Sequence, residues 1–245
     1  MIVDIKTVIW KEWRSLFRQP GSRTRMIFTV AIPVGYFGVF WPLQDGADFV
    51  TGAEPWFIAI VVPLLTVVMT APDSFAGERE RKTLRTLLAS RLPDSAILWG
   101  KVTFSGLLGI GLMLFTLTLA LVVVNTVESG GGLILIAADR MAYILAVSVL
   151  LSAIAAGAAV LISLRATTVQ QAQQTLAAAF FLIPMIAGPV VLVMSRGSDT
   201  LPLEELFQTL GTPAGRLGLL LGLAVLAAIL LFSARIRFRR NRLAS

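Results

Sequence analysis

Six long apolar runs joined by short polar stretches limit what this chain can become more than any other feature of its sequence. They extend from about Arg25 to Pro42, Pro55 to Ala71, Trp99 to Val124, Met141 to Leu164, Thr175 to Met194 and Leu217 to Ala234. Each is near the ~20 residues an α-helix needs to cross hydrocarbon. Only 14% of the 245 residues are charged and 56% are hydrophobic, whereas a soluble domain carries about 25% charged residues. The expected fold class is all-α: one integral membrane domain over residues 1–245, with six transmembrane helices.

The basic residues orient these runs. Lys6, Lys11, Arg14, Arg18, Arg23 and Arg25 precede or open the first, and Arg79, Arg81, Lys82, Arg85, Arg91 and Lys101 lie between the second and third. Arg165 follows the fourth, and Arg235, Arg237, Arg239, Arg240 and Arg242 close the chain. Of the 21 lysines and arginines, only Arg140, Arg196 and Arg216 fall on the opposite side. The positive-inside rule then makes both termini, the 77–98 segment and the 235–245 tail cytoplasmic, in a plasma or inner membrane. On the other side lie Gln44–Glu54, Asn125–Asp139 with its three glycines, and Ser195–Gly215, where residues 202–207 suggest a short helix after Asp199 and Thr200.

The net charge of +7 does not point to nucleic acid, because the basic residues flank apolar runs, where they set orientation and meet anionic headgroups. Residues 1–19 lack the continuous apolar stretch and cleavage site of a signal peptide, so this helix is expected to remain in the mature protein. Ile2, Ile5, Ile9, Trp13 and Leu16, with Phe17 beside them, oppose Asp4, Lys11, Arg14 and Arg18. That pattern predicts a helix lying in the membrane interface against lipid, ended by Pro20-Gly21.

Several chemistries are excluded. There is no cysteine and no histidine, which removes disulfides, thiolates, imidazole bases and the usual zinc sites. Around Gly100-Lys101 the phosphate-cradling pattern fails at both ends, with Ser95 for its first glycine and Val102 for its hydroxyl residue. No catalytic set, bound cofactor or metal is expected. Asp73 and Asp139 read as helix-end or interfacial carboxylates, and the scarcity of buried charge argues against a proton- or ion-coupled carrier. Gly218-x-x-x-Gly222, Gly106, Gly109, Gly111 and Ala155–Ala159 allow close helix approach. Thr66, Thr70, Thr116, Thr118, Ser148 and Ser152 either line a path or bond back to their own helices. Pro184 and Pro189 imply a broken or re-entrant segment; with Thr66 and Thr70 they are the candidates for a pathway or dimer seam.

The most specific stretch is Gly77–Lys101. Glu78, Arg79, Glu80, Arg81, Lys82 and Arg85 cluster, while Leu84, Leu87, Leu88 and Leu92 recur at helical spacing. A helix over Glu78–Leu92 cannot cross a bilayer, since each central charge costs about 2.5–3.5 kcal/mol on the lenient insertion scale. It is either a solvated helix or one that docks its leucines while offering charges to a protein partner.

At these residues the chain resembles the ABC-2-type permeases, the membrane subunits of type-2 ATP-binding cassette exporters. Gly77-Glu78-Arg79-Glu80-Arg81-Lys82-Thr83-Leu84, Leu87-Leu88-Ala89-Ser90 and Ile97-Leu98-Trp99-Gly100-Lys101 are similar to that family's pattern. So are the interfacial helix, the six runs, the Thr167–Gln174 loop and the basic tail. Lys82 departs from it where many members carry Gly, and Arg91 where Pro is common. The resemblance implies two permease copies driven by two copies of a separate cytoplasmic ATPase that binds ATP and Mg. Glu78, Arg79, Glu80, Arg81, Lys82, Thr83, Leu84, Arg85, Leu87 and Leu88 would form the coupling helix. Arg165, Gln170 and Gln171 would make a secondary cytoplasmic contact. The alternative it leaves open is a membrane anchor or mechanical transmitter that moves no substrate.

Overall fold

The computed structural model describes residues 2–18, 30–83, 91–128, 132–182, 185 and 212–238, with the side chains of 16–18 excepted. All regular structure among them is helical. Among the described residues four helices are long and apolar enough to cross a membrane: α4 (Glu54–Glu80), α5 (Asp94–Val127), α6 (Ala138–Ser163) and α8 (Pro213–Arg237). The others are α1 (Ile2–Arg18), α2 (a continuous run over 30–45 with a π turn at Tyr36–Phe40), α3 (Asp48–Thr51) and α7 (Val169–Ala177). A π turn at Ala178–Leu182 carries α7 into the fifth apolar run.

The helix boundaries follow local chemistry. Thr212 Oγ1 accepts the Gly215 N–H (3.1 Å), Pro213 opens α8, and Arg235 and Arg237 lie in its last turn, where the helix dipole favours cations. At α7, Thr168 Oγ1 accepts the Gln171 N–H (3.2 Å), so the stretch expected as a loop before the fifth span begins a helix at Val169.

The second span was expected to end at Ala71. Instead α4 continues through Pro63 and Pro72 to Glu80. An internal proline is tolerated where a neighbouring side chain takes up the carbonyl it leaves without a donor, as happens at Pro63. Pro63 cannot donate to the Ala59 carbonyl, and Ser148 Oγ of α6 lies 2.8 Å from that oxygen and 2.9 Å from Ile144 O, sharing one proton between them. Gln173 Nε2 of α7 donates to the Met69 carbonyl (2.7 Å), within the turn before Pro72.

α4 is the axis of the bundle, packed against α5 on one side and α6 on the other. Leu64, Val67, Val68, Ala71 and Phe75 meet Ile97, Ala155, Ala159, Leu176 and Phe238 towards the basic end. Ile58, Ala59 and Val62 meet Met113, Leu117, Val124 and Ile144 towards the other. Small residues set the closest approaches. A Cβ on Gly109 would lie 3.2 Å from Pro63 Cα and O, and one on Gly157 would lie 3.0 Å from Leu230 Cβ. Gly106, Gly111, Gly218 and Gly222 face open space within the chain. α8 buries only a narrow face and exposes Leu217, Leu221, Val225, Ile229 and Phe232, as suits a helix bathed in lipid tails. At the far end Arg140 donates to the carbonyls of Val50 (2.8 Å), Thr51 (2.9 Å) and Gly52, fastening α3 to the start of α6.

Candidate functional site

The charged run beginning at Glu78 was expected to form one helix reaching Leu92. Its first residues, Glu78 to Glu80, are the end of α4, a turn follows, and α5 starts at Asp94 after Pro93, with residues 84–90 between them outside the described residues. The stop is a Schellman-type turn, in which Thr83 N–H bonds Glu78 O (2.9 Å) and Lys82 N–H bonds Arg79 O (3.0 Å). Lys82 takes φ +58° at its centre, the left-handed conformation that a residue without Cβ adopts most easily. Leu84, Arg85, Leu87 and Leu88 lie outside the described residues.

The charges at the end of α4 are directed inward and sideways. Glu78 is only 5% exposed. Its Oε1 accepts from Lys101 Nζ of α5 (3.3 Å) and from Lys11 Nζ of α1. Lys101 is 1% exposed, and its ammonium also donates to Glu12 Oε1 (2.9 Å) and the Ser74 carbonyl. Glu12, 5% exposed, accepts from Ser74 Oγ at its other oxygen (3.0 Å). Two carboxylates and two ammonium groups therefore form a compact neutral cluster joining α1, α4 and α5. Charge burial on this scale requires such closure, since an uncompensated ion in the same place costs several kcal/mol.

The next residues fasten two further helices. Arg79 donates to the carbonyls of Leu164 and Ala166 (3.2 Å each), beyond the end of α6, where helix carbonyls lack internal partners. Glu80 Oε2 accepts the Val169 N–H (3.1 Å), an unpaired donor in the first turn of α7. Arg81 is 3.4 Å from Asp73 Oδ1 in a partly exposed pair. Asp73 lies within α4, seven residues before its end at Glu80. Lys82 and Thr83 are exposed.

α1 meets this hub through Val8 and Glu12, and not through the face predicted to be apolar. A Cβ on Gly100 would stand 2.6 Å from Val8 Cβ, so α1 crosses α5 where a glycine lets it. Ile5 and Ile9 are half-buried, while Trp13 is exposed with Ile2, Val3 and Trp10. The side chains of Leu16 and Phe17 lie outside the described residues. Neither Glu12 and Ser74 nor the inward role of Lys101 was expected from the sequence, where Lys101 reads as a flanking charge and as the end of a family-like motif. The available signal was a carboxylate four residues after Val8 on α1, with a lysine following a glycine on α5.

The remaining candidates separate. Thr66 and Thr70 are buried and bond back to Val62 O (2.8 Å) and Thr66 O (2.7 Å). Pro184 and Pro189 lie outside the described residues. Arg165 and Gln170 are exposed; Gln171 Oε1 accepts from Thr167 N and Oγ1 (2.9 Å each), a local brace at the start of α7. The hub is a set of joints, with each of its acids neutralised or capping a helix.

Long apolar helices packed around one central helix that carries two internal prolines define a multi-pass helical membrane protein. A family model described as "ABC-2 type transporter" matches residues 3–196, and the chain belongs to that family. It is therefore a transporter permease component, of a kind that carries no nucleotide site of its own. A comparison with curated proteins found no match.

Proposed function

We propose that this chain is the membrane subunit of an ABC exporter in a plasma or inner membrane, crossing it six times with both termini cytoplasmic. Two permease copies act together, each engaged by one copy of a cytoplasmic ATPase subunit that supplies ATP and Mg. The segment between α4 and α5, including Arg85, Leu87 and Leu88, receives that subunit, and the exposed Lys82 and Thr83 flank the contact. Arg165 and Gln170 make a second, smaller contact. The outer face of α1, with Trp10 and Trp13, lies among lipid headgroups.

The observation supporting this reading is the hub at Glu78, Arg79 and Glu80. A push delivered just after Lys82 meets a helix end bonded to α1, α5, α7 and the turn after α6. A segment so connected suits the conversion of a partner's movement into rearrangement of the bundle.

The test is Arg85→Glu combined with Leu87→Asp in the full chain, expressed with the ATPase that copurifies with it. Insertion and thermal stability are expected to hold while copurification is lost. Undiminished copurification would overturn the docking. Glu78 is unsuited to this test, since its replacement breaks the hub.

A further inference from the structure

Pro72 leaves α4 without one ladder donor, and its ring crowds the carbonyls of the turn before it. α7 is attached to α4 on both sides of this break. Before it, Gln173 Nε2 donates to Met69 O (2.7 Å), and Leu176 packs in the cluster containing Val67, Val68 and Ala71. After it, Glu80 Oε2 accepts the Val169 N–H (3.1 Å), and Ala172 and Val169 pack with Ala76. α7 then runs without interruption into the fifth apolar segment through the Ala178–Leu182 turn.

From this arrangement we propose that α7 is a strut across the Pro72 joint. Gln173 is the positioning residue that makes bending of α4 and displacement of the fifth apolar segment one motion. Pro72 deprives the Val68 carbonyl of its ladder donor and loosens the turn that Val68 shares with Met69. The Met69 carbonyl takes a proton from another helix, so the angle of α4 at Pro72 and the place of α7 determine each other. Glu80 holds the opposite end, and a bend at Pro72 must draw α7 with it or break one attachment. The inference rests on the reading above, that a partner subunit displaces the basic end of α4.

Two measurements test it. The first uses the full chain alone in nanodiscs and follows amide hydrogen exchange along α4. Gln173→Leu is expected to raise exchange in the turns flanking Pro72 about fivefold, the effect of losing one net hydrogen bond. Pro72→Ala returns a donor to the Val68 carbonyl and stiffens the turn that carries Met69, and in that background Gln173→Leu is expected to change little. An equal rise in both backgrounds would mean that Gln173 only fills space, and would overturn the strut.

The second measurement uses the chain with its copurifying ATPase. Because the sequence has no cysteine, spin labels can be placed at Gln174 on α7 and Thr118 on α5, both exposed. Trapping with ATP and vanadate is expected to shift the label distance in otherwise native protein, and Gln173→Leu to abolish the shift. A shift that survives Gln173→Leu rejects the strut and leaves the ATPase drive standing. No shift in native protein rejects the drive, and the strut's role with it.

Discussion

Lys101 Nζ lies 2.9 Å from Glu12 Oε1, joining α5 to α1 across 89 positions of sequence. The same ammonium reaches Glu78, so a single buried cation holds the first helix and the end of the central one. Several outcomes can be stated from this and related contacts.

Lys101→Met leaves two buried carboxylates with only Lys11 to share. Breaking a buried pair from one side costs about 3–5 kcal/mol, and a loss of that order is expected in detergent unfolding titrations. Arg81→Ala, which removes a partly exposed pair with Asp73, is expected to cost under about 1 kcal/mol. Equal costs would mean that the buried cluster has no special weight.

Gly100→Ala places a methyl group against Val8 and should displace α1, at about 1–3 kcal/mol for overpacking. Limited proteolysis near residue 18 reports the release. Gly106→Ala, facing open space, is expected to stabilise α5 by about 0.5–1 kcal/mol through helix propensity.

Lys82→Gly relieves a left-handed residue and is expected to stabilise the turn after Glu80 by about 1 kcal/mol. Lys82→Val is expected to act in the opposite direction. Thermal unfolding of both variants decides the matter, and a destabilised glycine variant would contradict the turn geometry.

Ser148→Ala removes the hydroxyl shared with the Ala59 carbonyl. Side-chain bonds between membrane helices average about 0.6 kcal/mol and reach about 1.7, and the upper part of that range is expected here. In a Pro63→Ala background, where α4 regains its own donor, the cost should largely vanish. A double-mutant cycle measures the difference.

Much of this architecture was legible without coordinates. The apolar runs at 55–71, 99–124, 141–164 and 217–234 reappear as α4, α5, α6 and α8, each longer than its apolar stretch. Hydropathy registers lipid contact, whereas helix length depends on caps and ladder bonds that continue past it. The charge cluster at 78–85 was visible too, but its division at Lys82 was not. No residue spacing marks the turn, and only the backbone angle at Lys82 reports the break.

Insertion in a membrane, helical structure and the family itself were determined by the sequence alone, because hydropathy, basic flanks and a local motif are properties of neighbouring residues. Which charges would be buried was decided by the tertiary structure. Glu12 meets Ser74 across 62 positions and Gln173 meets Met69 across 104, and no local pattern encodes either pairing. A buried ion or a proline-loosened carbonyl takes the partner that packing brings within reach, and packing exists only once all the helices are in place.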